Sequence, residues 1–252
     1  MQFSLPVRGV AVGLALALAA SASPSEAQTG RGFLFDEPNV ILGARGGFGV
    51  ASAGSDLFDF VRQELTLSRG DFNGFSASGD VGVRVLPRLD LVASVGYVGS
   101  SARSESRDWE GEDDLPILQR TEFRRVPLTA GVRLYPLAPG RSVGRYAWIP
   151  ARLVPYVGAA AGGMWYRFRQ TGEFVDESTD PPIIFEDELD SNGWAPTAEA
   201  FAGLEYTITP RMAITGEGRY TWAEAEPSDA FEGFDPIDLA GFVITVGVSF
   251  RQ

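Results

Sequence analysis

From residue 40 onward the chain alternates between apolar and small or polar residues, in runs of nine to thirteen positions. A period of two marks a strand with two unlike faces. In 40–50, Val40, Leu42, Ala44, Phe48 and Val50 share one face, and Gly43, Arg45, Gly47 and Gly49 the other. The same pattern recurs at 75–85, 89–99, 126–134, 156–168, 198–208, 212–222 and 242–250, which predicts eight strands. In 156–168 the apolar face reads as Tyr156, Ala160, Met164, Tyr166 and Phe168, opposite Arg167 and small residues.

The predicted connections alternate in length. Pro87-Arg88 and Thr209-Pro210-Arg211 are tight turns, whereas 52–73, 100–121, 171–193 and 223–238 are long polar loops. Residues 136–151 break the alternation, being long and rich in Pro, Gly and Arg where a short turn is expected. Within 55–67 the period changes. Leu57, Phe58, Val61 and Leu65 follow helical spacing, with Ser55 or Asp56 able to cap the start. That predicts a short amphipathic helix, packed at the membrane interface or folded over a barrel mouth as a lid.

Short turns on one rim and long loops on the other are the plan of a transmembrane barrel. The predicted fold is all-β: an eight-stranded antiparallel up-and-down transmembrane β-barrel. The polar faces are mostly Gly, Ser and Thr with a few charges, which suits a narrow lumen filled by side chains. A water-facing surface, as in a soluble lipocalin-like barrel, carries denser charge and Lys. Runs of ten to eleven residues match the tilted span of a bilayer. Tyr156, Tyr166, Phe168, Tyr206, Tyr220, Trp222, Phe242 and Phe250 lie toward strand ends and read as two interfacial girdles.

The N-terminus reads as an address. Arg8 supplies a charged start, residues 9–20 an apolar core, and Ser25-Glu26-Ala27 a small-residue cleavage site. Twelve apolar residues fall short of the roughly 20 that a helical span needs. Residues 1–27 are therefore expected to be a cleaved signal peptide and 28–252 a single barrel domain.

Composition then removes chemistry. The chain has no Cys and no His, and all 21 basic residues are Arg. Ser–His and Cys–His nucleophiles, His or Cys metal sites, Schiff-base lysines and disulfides are excluded. Its 33 acidic residues bring the net charge to -12, which argues against nucleic acid as a partner. No catalytic residue, cofactor or metal site is predicted.

The last run, Phe242-x-Ile244-x-Val246-x-Val248-x-Phe250, resembles the C-terminal signal of outer-membrane barrels, except that Arg251-Gln252 follow the Phe. With 126–136 (VPLTAGVRLYP) and 155–162 (PYVGAAAG), it makes the chain similar to the OmpA-like and OmpW-like small outer-membrane β-barrel proteins over essentially all of 38–250. The resemblance implies a bacterial outer-membrane protein, a monomer, in contact with outer-membrane lipid and lipopolysaccharide and inserted by the barrel-assembly machinery. Because the chain stops at Gln252, the peptidoglycan-binding domain that follows the barrel in OmpA is expected to be absent. Fold likeness of this kind says little about activity.

The candidate site is the polar interior. Alternation turns Arg45, Asp80, Arg84, Asp90, Arg133, Glu199, Glu205, Glu217 and Arg219 toward the lumen, four arginines against five carboxylates. Buried charges must pair or stay hydrated. The expected arrangement is an ion-pair network that plugs the barrel, and the sharper alternative is a switchable gate in which one Arg exchanges between carboxylates. Stretch 171–193 holds Glu173, Asp176, Glu177, Asp180, Glu186, Asp187, Glu188 and Asp190 with no basic residue. It reads as a solvated loop, or as one able to hold divalent ions. Stretch 100–121, with Glu112, Asp113 and Asp114 among mixed charges, carries no specific signal. Arg141, Arg145 and Trp148 in 136–151 read as an interfacial anchor, the alternative being a contact with anionic periplasmic groups. The functional expectation is a non-enzymatic barrel, structural or small-solute or ligand-binding. The alternatives are a narrow gated channel for ions or small hydrophobic compounds, or an adhesin using acidic outer loops.

Overall fold

The computed structural model describes residues 32–111, 115–176 and 182–252. The expected signal peptide, Glu112, Asp113, Asp114, Glu177 and Asp180 lie outside the described residues. Eight antiparallel strands form the wall: β1 Val40–Ala51, β2 Gly74–Leu86, β3 Leu89–Glu110, β4 Pro116–Leu134, β5 Leu153–Asp176, β6 Ile183–Thr209, β7 Met212–Ala225 and β8 Gly241–Arg251. Each pairs with its chain neighbours, and β8 returns to β1 from Ile41↔Arg251 to Ala51↔Gly241, closing the ring. Closure leaves no unpaired edge along the wall, the condition for backbone to cross a bilayer in strands.

The polarity is that of a transmembrane barrel. Phe48, Phe75, Leu128, Ile244 and Val246 are all more than half exposed on the outside, within a continuous apolar band. Arg45, Asp80, Glu199 and Glu217 are buried inside. An outer surface this apolar needs lipid, not water, as its solvent.

Four strands are longer than their alternating runs. β3 with β4 and β5 with β6 continue past the apolar band as tall hairpins, so most of 100–121 and 171–193 is strand and not loop. Outside the band their outward faces turn to charge: Glu122 and Arg124 on β4, Arg167 and Arg169 on β5, Glu188 and Asp190 on β6. Charged residues hide the period-2 signal, because both faces then read as polar. The β3–β4 ladder skips a step between Val95↔Leu128 and Val98↔Arg125, beside Pro127, which has no N–H to donate.

A second departure concerns β5. Its outward face is Val157, Ala159, Ala161, Gly163 and Trp165, while Tyr156, Met164, Tyr166 and Phe168 are buried in the interior. Those aromatics therefore belong to no girdle. Both faces of β5 are apolar, so hydrophobicity cannot orient it; the register with β4 and β6 does. Tyr206, Trp222, Phe242 and Phe250 do face outward, with Tyr220 half-buried beside Trp222.

On the short-turn rim, Leu86↔Leu89 and Thr209↔Met212 close tight turns. The long connection after β4 folds into a small hairpin, Gly140–Ser142 with Trp148–Pro150. Trp148 is buried there and exchanges backbone hydrogen bonds with Leu34 at 2.7 and 2.8 Å, so it acts as a local core and not as an interfacial anchor. Arg141 and Arg145 stay exposed.

On the opposite rim, helix α1 (Asp56–Glu64) follows β1. Leu57, Phe58 and Val61 lie on its buried face, and it packs downward into the mouth of the barrel. The Phe58 ring meets Phe72, Phe123 and Phe168 edge-on at centroid distances of 4.8, 5.3 and 5.6 Å. Phe168 in turn meets Phe231 at 5.3 Å. Leu65, Ile237 and Leu239 complete an apolar cluster that fills the upper lumen.

Candidate functional site

Below that plug the lumen is ionic. All nine interior charges expected from alternation point inward; six join into a first group, and the other three fall in two smaller ones. In the first, Arg45 stands 2.7 Å from Asp80, whose other oxygen accepts a hydrogen bond from Arg133 at 2.8 Å. Arg45 also lies 3.7 Å from Glu217. Glu217 accepts from Arg219 at 2.9 Å and from the Tyr156 hydroxyl at 2.9 Å. Arg219 then reaches across to Glu199, which also accepts from Thr129 at 3.0 Å. Arg45, Asp80, Arg133, Glu217, Arg219 and Glu199 are thus one continuous chain of charge across the barrel.

The two smaller groups sit nearer the short-turn rim. Arg84 bonds Asp90 at 2.6 Å and Glu37 at 2.9 Å, and Asp90 accepts from the Tyr135 hydroxyl at 2.8 Å. Glu205 is met by Arg251 at 2.7 Å, and Arg251 also donates to Thr207 at 3.0 Å. Aromatic faces cover several guanidiniums: Arg133 lies 4.8 Å from the Tyr156 ring centroid, Arg219 4.6 Å from Phe201 and Arg84 5.1 Å from Tyr135. A ring face stabilises a desolvated cation without adding a charge of its own.

Apart from Glu37, each charged side chain in these groups is held by the wall and not by a loop. Adjacent strands carry partners at matched heights, as with Gly43↔Asp80 and Arg84↔Asp90. Gly43 leaves room for the network directly, because a Cβ there would fall 2.3 Å from Asp80 Oδ1. Breaking a buried pair by removing one partner costs about 3–5 kcal/mol, since the other charge is left uncompensated in a low dielectric. The groups therefore act as units.

Two interior arginines lie beyond the expected set. Arg251 completes the balance within the ionic layer, five arginines to five carboxylates, with Asp80, Asp90, Glu199, Glu205 and Glu217 opposite Arg45, Arg84, Arg133, Arg219 and Arg251. Its parity with Thr245, Gly247 and Ser249 is the available signal, masked because the alternating apolar run ends at Phe250. Arg125 shares parity with Thr129 and Arg133, but falls one residue before the predicted strand start. It is buried under the apolar plug, donates from Nη1 to the carbonyls of Leu239 and Ala240 at 2.9 and 3.0 Å, and stacks 4.9 Å from Phe123.

A chamber of about 40 Å³ lies between the plug and the charges, bordered by Ser76, Ser94, Arg125, Met164, Glu199 and Arg219. One water needs roughly 10–15 Å³ by the same measure, so a few waters fit and a hydrated ion does not.

The described acidic residues on β5–β6 do not gather as a cation cage. Asp190 pairs with Arg167 at 2.6 Å and Glu188 with Arg169 at 2.7 Å, across the hairpin. Among the described residues no cluster of three or more acidic side chains converges on one point.

No family model matches the chain, and no curated protein matches it either. Among solved structures it is similar to the outer membrane protein OprG of Pseudomonas aeruginosa, at 13% identity and a TM-score of 0.43, covering 87% of this chain and 99% of that one. A major outer membrane protein of Thermus thermophilus matches at 13% identity and a TM-score of 0.43, covering 86% of this chain and 100% of that one. Neisserial surface protein A matches at 12% identity and a TM-score of 0.42, covering 84% and 96%. The closed ladder, the polar interior and the apolar exterior are this chain's own. By them it is a small transmembrane β-barrel, with the architecture of the OmpA-like and OmpW-like outer-membrane proteins.

Proposed function

We propose that this protein is a non-enzymatic barrel of a bacterial outer membrane whose lumen is closed to ions, and that it serves as a structural and ligand-binding element. The observation that carries this reading is the filled interior. A charge-balanced layer lies under an apolar plug, with about 40 Å³ between them. The location rests on the barrel architecture, since closed β-barrels of this type are outer-membrane structures. Contact with outer-membrane lipid and lipopolysaccharide is supported by the apolar band and the charged faces of the tall hairpins.

The test is single-channel recording of the refolded protein in planar bilayers, after heat-modifiable gel migration has established that the barrel is formed. A silent membrane is expected. Reproducible openings in the wild-type barrel would overturn the closed reading.

One observation favours a gated channel as the second reading. Arg219 spans two carboxylates, Glu199 and Glu217, and its side chain is 13% exposed whereas theirs are nearly dry. It is the arm of the network with room to swing. On that reading Arg219→Ala opens a measurable conductance; on the closed reading the variant stays as silent as wild type, because the plug above is intact.

A further inference from the structure

Above the plug, the tall hairpins, α1 and the segment before β8 enclose a cleft of about 330 Å³ that opens outward. That volume falls within the range of small-molecule sites. Its walls are aromatic and aliphatic: Phe60, Trp109, Phe174, Leu189, Phe231 and Phe234. Among the described residues the only carboxylate on its border is Glu64, an exposed residue at the end of α1. Its floor is the Phe58–Phe168–Phe231 packing, so it is a dead end and not a vestibule.

One polar group stands out within it. Gln170 lines the cleft, is 5% exposed, and makes no side-chain hydrogen bond among the described residues. Its cross-strand partner Thr121 is also buried, and the Thr121 hydroxyl has no hydrogen-bond partner among them. The Gln170 amide edge is thus left for water or a ligand in the cleft to meet. Gln119, on the same border, is satisfied, donating to the Glu173 carbonyl at 2.8 Å. The amide open to a ligand in the cleft is therefore that of Gln170.

We infer that this cleft is a binding site for a small uncharged ring-bearing molecule with an amide-like edge, a donor and an acceptor side by side. The aromatic walls select a flat apolar body. The carboxamide of Gln170, which both donates and accepts, matches a lactam or carboxamide edge two-for-two. An anion would be desolvated among phenylalanines with no cation among the described lining residues, and the one carboxylate, Glu64, is exposed at the border and gives a buried cation no dry counter-ion, so an uncharged ligand fits best. This deepens the ligand-binding part of the proposed function, and rests on that reading for the claim that the site ends blindly above a closed lumen.

The test is equilibrium dialysis of quinolin-2-one against the barrel in lipid nanodiscs, with empty nanodiscs subtracted. Saturable binding is expected, weakened at least about tenfold in Gln170→Leu and abolished in Ala230→Trp, which fills the cleft from its rim. Naphthalene, the same body without the edge, is expected to bind at least about tenfold more weakly than quinolin-2-one. Both variants are checked for folding by heat-modifiable migration. No binding beyond empty nanodiscs, or equal binding by wild type and Gln170→Leu, overturns the proposal. Naphthalene binding as tightly as quinolin-2-one overturns the role of the amide edge. Conductance reports on the lumen below and dialysis on the cleft, so failure of either reading is visible separately.

Discussion

The two halves of the lumen solve the same problem by opposite means. The lower half is filled with charge, five arginines against five carboxylates, each held by side chains of neighbouring or facing strands. The upper half is filled with phenylalanine and aliphatic side chains, some carried down by α1 and the segment before β8 and others, as Phe123 and Phe168, pointing in from the wall. The difference lies in what supplies the filling. Lower-lumen groups sit on the wall, so their geometry follows from strand register. Much of the plug comes from α1 and the segment before β8, which are tied to the wall by a few hydrogen bonds, as from Arg125 to the Leu239 and Ala240 carbonyls, and otherwise held by packing. An ionic layer tolerates no missing member, because each loss strands a charge. An apolar plug loses packing in proportion to what is removed, and the remainder can collapse.

The largest effect is expected where the ionic layer is broken at its most shared point. Asp80→Ala removes the carboxylate that serves both Arg45 and Arg133, and should cost at least about 3–5 kcal/mol of barrel stability. Urea unfolding followed by heat-modifiable migration reads this directly. Adding Arg133→Met should recover part of the loss. No recovery would show that the two charges are not coupled, and would dissolve the contrast between the halves.

Phe58→Ala tests the plug. The expected cost is about 3 kcal/mol, toward the lower end for a buried Phe because the loop around α1 can settle into the space. The loss should be local. Hydrogen exchange should quicken in α1 and the upper strands while β1, β7 and β8 near the short-turn rim stay protected. Uniform loss of protection would mean that plug and wall unfold as one unit.

The smallest effect belongs outside the lumen. Arg169→Ala breaks an ion pair with Glu188 in which both side chains are partly exposed, and should change stability by less than about 0.5 kcal/mol. A larger loss in the same urea series would mean that the tall hairpin contributes to holding the barrel closed.

Much of this contrast was legible before folding. A period of two over eight runs implies strands with unlike faces, and the placement of Arg45, Asp80, Glu199 and Glu217 on the small-residue faces implies an interior charge layer. The helical spacing of Leu57, Phe58 and Val61 implies α1. These are local properties: which neighbours alternate, and with what polarity, is written in adjacent residues. Other features depend on contacts between residues far apart in the chain. β5 carries apolar residues on both faces, so only its register against β4 and β6 turns Tyr156 and Phe168 inward. The tall hairpins are hidden because their exposed faces and turns are equally polar. Arg251 finds Glu205, and Arg125 finds the Leu239 and Ala240 carbonyls, across the barrel and not along a strand. Alternation states which face a residue occupies. Only ring closure, which fixes strand register and brings distant strands to a common height, states which partner it meets there.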